Sequence, residues 1–179
     1  MSLEVATRIQ KQKGFTIAEV MVAMVVLMVS LVGIAQLVPF AIRTNTAARA
    51  DSTAVVFAER ELDEMVEQPF TTFTFTDMHG NINCTLGNSA TPNQWVGSPT
   101  LTDSSSRTLI DFSQGTVAGY NFTYADPSNP YQRTYDVRWA VYTWVNGGPV
   151  TGRRIVIGAR LTGGNAPFLP ISLDTMVQR

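Results

Sequence analysis

Cysteine occurs once in the 179 residues, at Cys84, so no intramolecular disulfide can staple this chain. Lysine is nearly as scarce: Lys11 and Lys13 are the whole complement, and both fall in the first fourteen residues. Setting aside Glu4, Arg8, Lys11 and Lys13, the remainder carries ten basic and thirteen acidic side chains, a formal −3. That balance lacks the basic stripe of a general nucleic-acid binder, so nucleic acid is not an expected partner. Histidine also occurs once, at His79. His79, Asp77 and Cys84 offer no second cysteine or histidine at the spacing that a metal site or a Cys/His dyad needs. His79 reads as an exposed loop residue and Cys84 as a small, partly buried one. Serines 104–106 have no Gly-x-Ser-x-Gly setting, and no phosphate-binding glycine loop is present. No catalytic residue, cofactor or metal is assigned, and the chain does not read as an enzyme.

Charge is missing altogether from residues 20–42, a run of 23 residues. As a helix this run is roughly 35 Å long, enough to cross a hydrocarbon core of about 30 Å. It is longer than the apolar part of an ordinary secretory signal, about 7–15 residues, although Gly33-Ile34-Ala35 offers a small-residue cleavage site. Basic residues Arg8, Lys11 and Lys13 precede the run and predict that this end stays in the cytoplasm. Arg43 and Arg49 on the far side weaken that bias without reversing it. One carboxylate, Glu19, sits at the mouth of the apolar run. A charge inside lipid costs about 2.5–3.5 kcal/mol on insertion scales and is normally paired, and no cation lies within the run.

The stretch Lys11-Gln12-Lys13-Gly14-Phe15-Thr16-Ile17-Ala18-Glu19 with its apolar sequel resembles the N-terminus of type IV prepilins and of the pseudopilins of type II secretion. The match extends to about residue 38. The resemblance implies a leader, residues 1–14, cut after Gly14 by a prepilin peptidase, and N-methylation of the new terminal residue, Phe15. It also implies that Glu19 pairs with the Phe15 amine of a neighbouring subunit in a filament. Glycine before the cut permits close approach of a peptidase. Gly33 and Pro39 interrupt the helical pattern. Proline lacks a donor and crowds the carbonyl four residues back, so a kink or loosened turn is expected between them. Breaks of this kind in the family accompany partial unwinding in the filament.

Past residue 42 the pattern becomes amphipathic. Val55, Ala58, Leu62 and Met65 share one helical face, and Glu59, Asp63 and Glu67 another. The spacing predicts one helix over 15–68, with residues 20–42 as its transmembrane part, ended by Pro69. Residues 69–179 form the expected head. Thr71 to Thr76 reads as a short strand, and residues 77–107 as a long irregular segment with one strand near Trp95. Period-two alternation predicts strands over 117–125, 135–145 and 155–161, with turns at 126–130 and 146–149 and a last short strand at 171–173. Trp139, Tyr142 and Trp144 beside Arg138 suggest base stacking, but Trp139 shares its face with Val137 and Val141 and reads as core.

The fold class expected is α+β and pilin-like: a long N-terminal helix packed on a C-terminal antiparallel meander. The function implied is that of a minor pilin of the PilV-like kind, joining or priming a type IV pilus. Its partners would be other pilin subunits, the prepilin peptidase, an inner-membrane assembly platform, and membrane lipid before assembly. The location would be the cytoplasmic membrane, then an extracellular pilus. A pseudopilin in a periplasmic pseudopilus is the alternative within the family. A membrane-anchored extracytoplasmic enzyme would explain the apolar run but neither Gly14-Phe15 nor Glu19.

Overall fold

The computed structural model describes residues 14–78, 81–125, 133–145, 147–162 and 170–178. Residues 1–13 of the expected leader, His79, the expected turn at 126–130 and Asn146 lie outside the described residues. The chain divides into two compact units, Met1–Thr44 and Asn45–Arg179. One helix, α1 (Ile17–Glu67), runs through both.

In the first unit α1 is apolar on every side, and its side chains are exposed. It is long and apolar enough to cross a membrane. A helix suits such a segment because all its backbone groups bond within the segment, whatever surrounds it. Gly33 and Pro39 both lie within it as helical residues. The expected interruption therefore does not end the helix in the isolated chain.

In the second unit α1 buries Ala50, Ala54, Phe57, Ala58, Glu61 and Met65. This face is turned about one position from the stripe that the sequence suggests: Ala58 and Met65 are buried, whereas Val55 and Leu62 sit half-buried at its margin. Phe57 causes the turn. Its ring lies 4.3 Å from Tyr124 and 5.1 Å from Tyr135, wedged against the sheet. Alanines 50, 54 and 58, spaced by four, leave the helix backbone free to approach closely. Ser52 donates to the carbonyl of Ala48 at 3.0 Å, as an interior helical residue does. Glu59, Asp63 and Glu67 are exposed, as their spacing suggests.

The strands are β1 (Thr74–Thr76), β2 (Asn83–Thr85), β3 (Trp95–Gly97), β4 (Thr100–Thr102), β5 (Thr108–Ile110), β6 (Asn121–Ala125), β7 (Thr134–Val145), β8 (Val150–Thr162) and β9 (Ile171–Gln178). Strands β6, β7, β8 and β9 form the antiparallel meander that the alternation predicts. β3 shares one edge of β7 with β6, pairing at 140–142 where β6 pairs at 134–138. Three details differ from the expectation. β6 starts at Asn121 because residues 117–120 close a turn, Tyr120 N–H donating to the Val117 carbonyl at 3.0 Å. The last strand extends to Gln178. The segment 77–107 contains not one strand but three, in addition to turns, and the β1–β2 and β4–β5 pairs are two-stranded hairpins.

The sheet is buried on both faces. Tyr135, Val137, Trp139 and Val141 meet α1 together with Ile155, Ile157 and Ala159 of β8. Fully burying one such aliphatic side chain is worth about 1.5–3 kcal/mol. On the opposite face Ile110 and Phe112 cover Ala140 and Val156. Gly158 makes this contact possible: a Cβ there would stand 2.9 Å from Ile110 Cβ and from the Phe112 ring. The same face holds Asp136 between two arginines. Arg138 Nη2 lies 2.9 Å and Arg160 Nη2 3.1 Å from its Oδ2, and both guanidinium groups flank the Phe112 ring. Arg153, fully inside, donates to the carbonyls of Phe70 and Thr72 at 3.1 and 2.7 Å and so fixes the chain where it leaves α1.

Candidate processing and assembly site

Gly14, Phe15 and Thr16 precede the helix and belong to no regular element. Phe15 is 88% exposed, and no heavy atom lies within 4 Å of where a Cβ on Gly14 would stand. The Gly14–Phe15 bond is thus open to another molecule. Thr16 starts the helix. Its carbonyl accepts the Val20 N–H at 3.2 Å, and its hydroxyl accepts the Glu19 N–H at 3.2 Å. Glu19 reaches back: its Oε2 accepts the Thr16 N–H at 2.8 Å and the Thr16 hydroxyl at 3.0 Å. Thr-x-x-Glu in this geometry is a capping box, in which each residue satisfies an N–H that the first helical turn leaves open. A carboxylate in the first turn also complements the positive end of the helix dipole. The sequence carried this signal, but the charge of Glu19 drew attention to pairing between chains and left Thr16 without a role.

Beyond Glu19, Ser30 and Thr44 turn back on the helix backbone. Ser30 donates to the Val26 carbonyl at 2.8 Å, and Thr44 to the Phe40 carbonyl at 2.9 Å. Pro39 has no N–H to give the carbonyl of Ala35, which leaves that acceptor without its helical donor.

Residues 9–35 match a family model described as the prokaryotic N-terminal methylation motif. That motif marks the N-termini of type IV prepilins and pseudopilins. Pilins and their relatives are usually structural and not enzymatic, and the family in general works with a prepilin peptidase and with other filament subunits. The matched residues include Gly14, Phe15, Thr16, Glu19 and Gly33, while Pro39 and the head lie beyond them. No curated protein and no solved structure matches the chain. Below the prepilin N-terminus, the long helix packed on an antiparallel sheet is a pilin-like α+β fold.

In the head, the structure brings Cys84 beside Asp77 and Glu61. Cys84 is buried, and its thiol lies 3.6 Å from the Ile82 carbonyl. Burial pushes the thiol up to about 12, with the charges of Asp77 and Glu61 acting in the same direction. Serines 104–106 form the β4–β5 turn, where Asp103 accepts the N–H groups of Ser105 and Arg107, both at 2.9 Å. Trp139 is fully buried, with its indole N–H on the Thr85 carbonyl at 2.8 Å. Arg138 faces the other side of the sheet, so the two present no common stacking surface.

One grouping escaped the sequence. Glu61 lies on the buried face of α1, and Glu64 and Asp77 each bring a carboxylate oxygen to it, all three within 4.8 Å of one another. Desolvation raises the Glu61 carboxyl to about 7, with help from the charge of Asp77. In the run Glu59-Arg60-Glu61-Leu62-Asp63-Glu64 an acidic residue reads as solvent-facing. The clue was that Glu61 continues the series 50, 54, 57 and 58 by a step of three.

Proposed function

We propose that the chain is a minor pilin, cut between Gly14 and Phe15, N-methylated on Phe15, and built into a type IV pilus. The observation that carries this reading is the methylation motif over 9–35, with its Gly14–Phe15 bond exposed ahead of the helix and Glu19 in the first turn. Leader residues 1–14 would be removed. Residues 20–42 would hold the subunit in the cytoplasmic membrane until assembly, and afterwards lie among the same segments of other subunits. Within that apolar bundle the Phe15 amine of one subunit is neutralised by Glu19 of its neighbour. A loosening of the helix between Gly33 and Pro39 belongs to the assembled state, where the unpaired Ala35 carbonyl is its starting point. The minor role is supported by the segment 77–107, which carries three-residue strands joined by turns instead of a regular sheet edge.

The partners are other pilin subunits, a prepilin peptidase and an inner-membrane assembly platform. The test uses native host cells making Glu19→Ala. Membrane levels should match the parent, because the substitution makes the segment more apolar. Recovery in filaments sheared from the cell surface should fall sharply, since an unpaired amine would be left among apolar helices. Equal recovery in the sheared fraction would remove the assembly role of Glu19. A parent chain that never reaches the sheared fraction, and stays in the periplasm, would assign it to a secretion pseudopilus instead.

A further inference from the structure

Glu61 has no exposed surface, and its two carboxylate oxygens have different surroundings. Oε1 lies 3.3 Å from Arg60 Nη2. Oε2 is buried, and among the described residues no hydrogen-bond donor reaches it. A buried carboxylate oxygen left without a donor or cation is strongly unfavourable. Glu64, nearly one turn along α1, and Asp77, which follows β1 and is 1% exposed, each bring a carboxylate oxygen to the Glu61 carboxylate.

Both neighbours are held in place by the backbone. Glu64 Oε1 accepts the Met78 N–H at 3.1 Å. The Asp77 N–H donates to the Ile82 carbonyl, and the Asp77 carbonyl accepts the Asn81 N–H, each at 2.9 Å, which holds Asp77 where the chain leaves β1. Helix and hairpin therefore present three carboxylates to one small volume.

Three oxygens within 4.8 Å of one another fit on a single coordination sphere. At calcium–oxygen distances of about 2.3–2.6 Å, opposite ligands stand about 4.6–5.2 Å apart. The donor set is all oxygen, which suits a hard cation. Magnesium keeps several waters and usually takes one or two protein carboxylates, whereas calcium accepts three from an irregular site. We propose that Glu61, Glu64 and Asp77 form a calcium site that ties α1 to the β1–β2 hairpin, with the orphaned Oε2 of Glu61 as its innermost ligand. The site lies in the head, outside the methylation motif, and is independent of the assembly reading.

The experiment takes the full-length chain in detergent, stripped with EDTA, and titrates calcium chloride by calorimetry while thermal unfolding is followed in parallel. One calcium per chain should bind, and the unfolding temperature should rise with calcium and respond weakly to equal magnesium. Asp77→Asn should weaken calcium binding by roughly tenfold or more, since changes even beyond the direct ligands cost about 10–100-fold. Glu61→Gln in EDTA should unfold no earlier than the parent, yet lose the response to calcium. A parent that takes up no calcium, with identical unfolding in calcium and in EDTA, would overturn the site whether or not the variants fold. So would an Asp77→Asn chain that binds calcium as the parent does.

Discussion

Thr16 and Glu19 hold each other across the first turn of α1: the Thr16 N–H donates to Glu19 Oε2 at 2.8 Å, and the Glu19 N–H donates to the Thr16 hydroxyl at 3.2 Å. Both contacts from Thr16 to the carboxylate end on Oε2, and among the described residues no hydrogen bond reaches Oε1. Capping and pairing between subunits are therefore compatible uses of one carboxylate. The cap orients it, and the second oxygen is available to an amine from another chain.

The two uses separate by substitution. Glutamine retains the capping box but carries no charge. Glu19→Gln should therefore depress recovery in sheared filaments as Glu19→Ala does. Thr16→Ala removes the cap, costs the helix start about 1 kcal/mol, and should leave most of the assembly intact. If Glu19→Gln filaments form at the parent level while Thr16→Ala filaments do not, the carboxylate serves the helix and not the neighbour.

Gly158 and Ile110 make a second test, of the two-sided burial of the sheet. A side chain at 158 meets Ile110 Cβ and the Phe112 ring, neither of which can swing away as a long flexible chain end would. Gly158→Val should lower stability by about 1–3 kcal/mol, the usual range for overpacking. Thermal unfolding of the full-length chain in detergent measures it, and hydrogen exchange at Ile110 and Phe112 should quicken. Unchanged unfolding and exchange would mean that β5 does not rest on β8.

Cys84 reports on the head from inside. It is 1% exposed, and its thiol is raised to about 12. A raised thiol pKa favours the protonated form, so at pH 8 the reactive thiolate is scarce as well as covered. Iodoacetamide should leave the native chain unmodified for hours and alkylate it promptly in guanidinium chloride. Rapid modification of the native chain would show that Cys84 is not buried in the head.

What the sequence made legible follows from how far each signal extends. The charge-free run and the alanine-rich amphipathic stretch are long, and together they marked one helix ending beside Pro69. Strands β7 and β8 are long enough for alternation to show, at Tyr135, Val137, Trp139 and Val141 and at Ile155 and Ile157. The β2, β4 and β5 strands have three residues each, too few for a period; β2 and β4 were absorbed into the irregular segment 77–107, and β5, just beyond it, was not read. With β5 unseen, nothing announced that Ile110 and Phe112 cover the second face of the sheet, and Arg138 could be mistaken for a surface cation beside Trp139. The helix face was read one position off because Phe57, not Val55, turns inward. Glu61 was hidden by its acidic neighbours: five of the six residues from Glu59 to Glu64 are charged, and only contact with Asp77, from a distant hairpin, distinguishes it.

In the proposed function, cleavage between Gly14 and Phe15 precedes every later step, because the amine that Glu19 is to meet does not exist before it. The most direct measurement is the mass of the N-terminal peptide of the chain recovered from host cells with an active prepilin peptidase. The peptide should begin at Phe15 and be one methyl group heavier than its unmodified sequence. A peptide beginning at Met1, or at Gln36 after a cut following Ala35, would contradict the prepilin reading at its root.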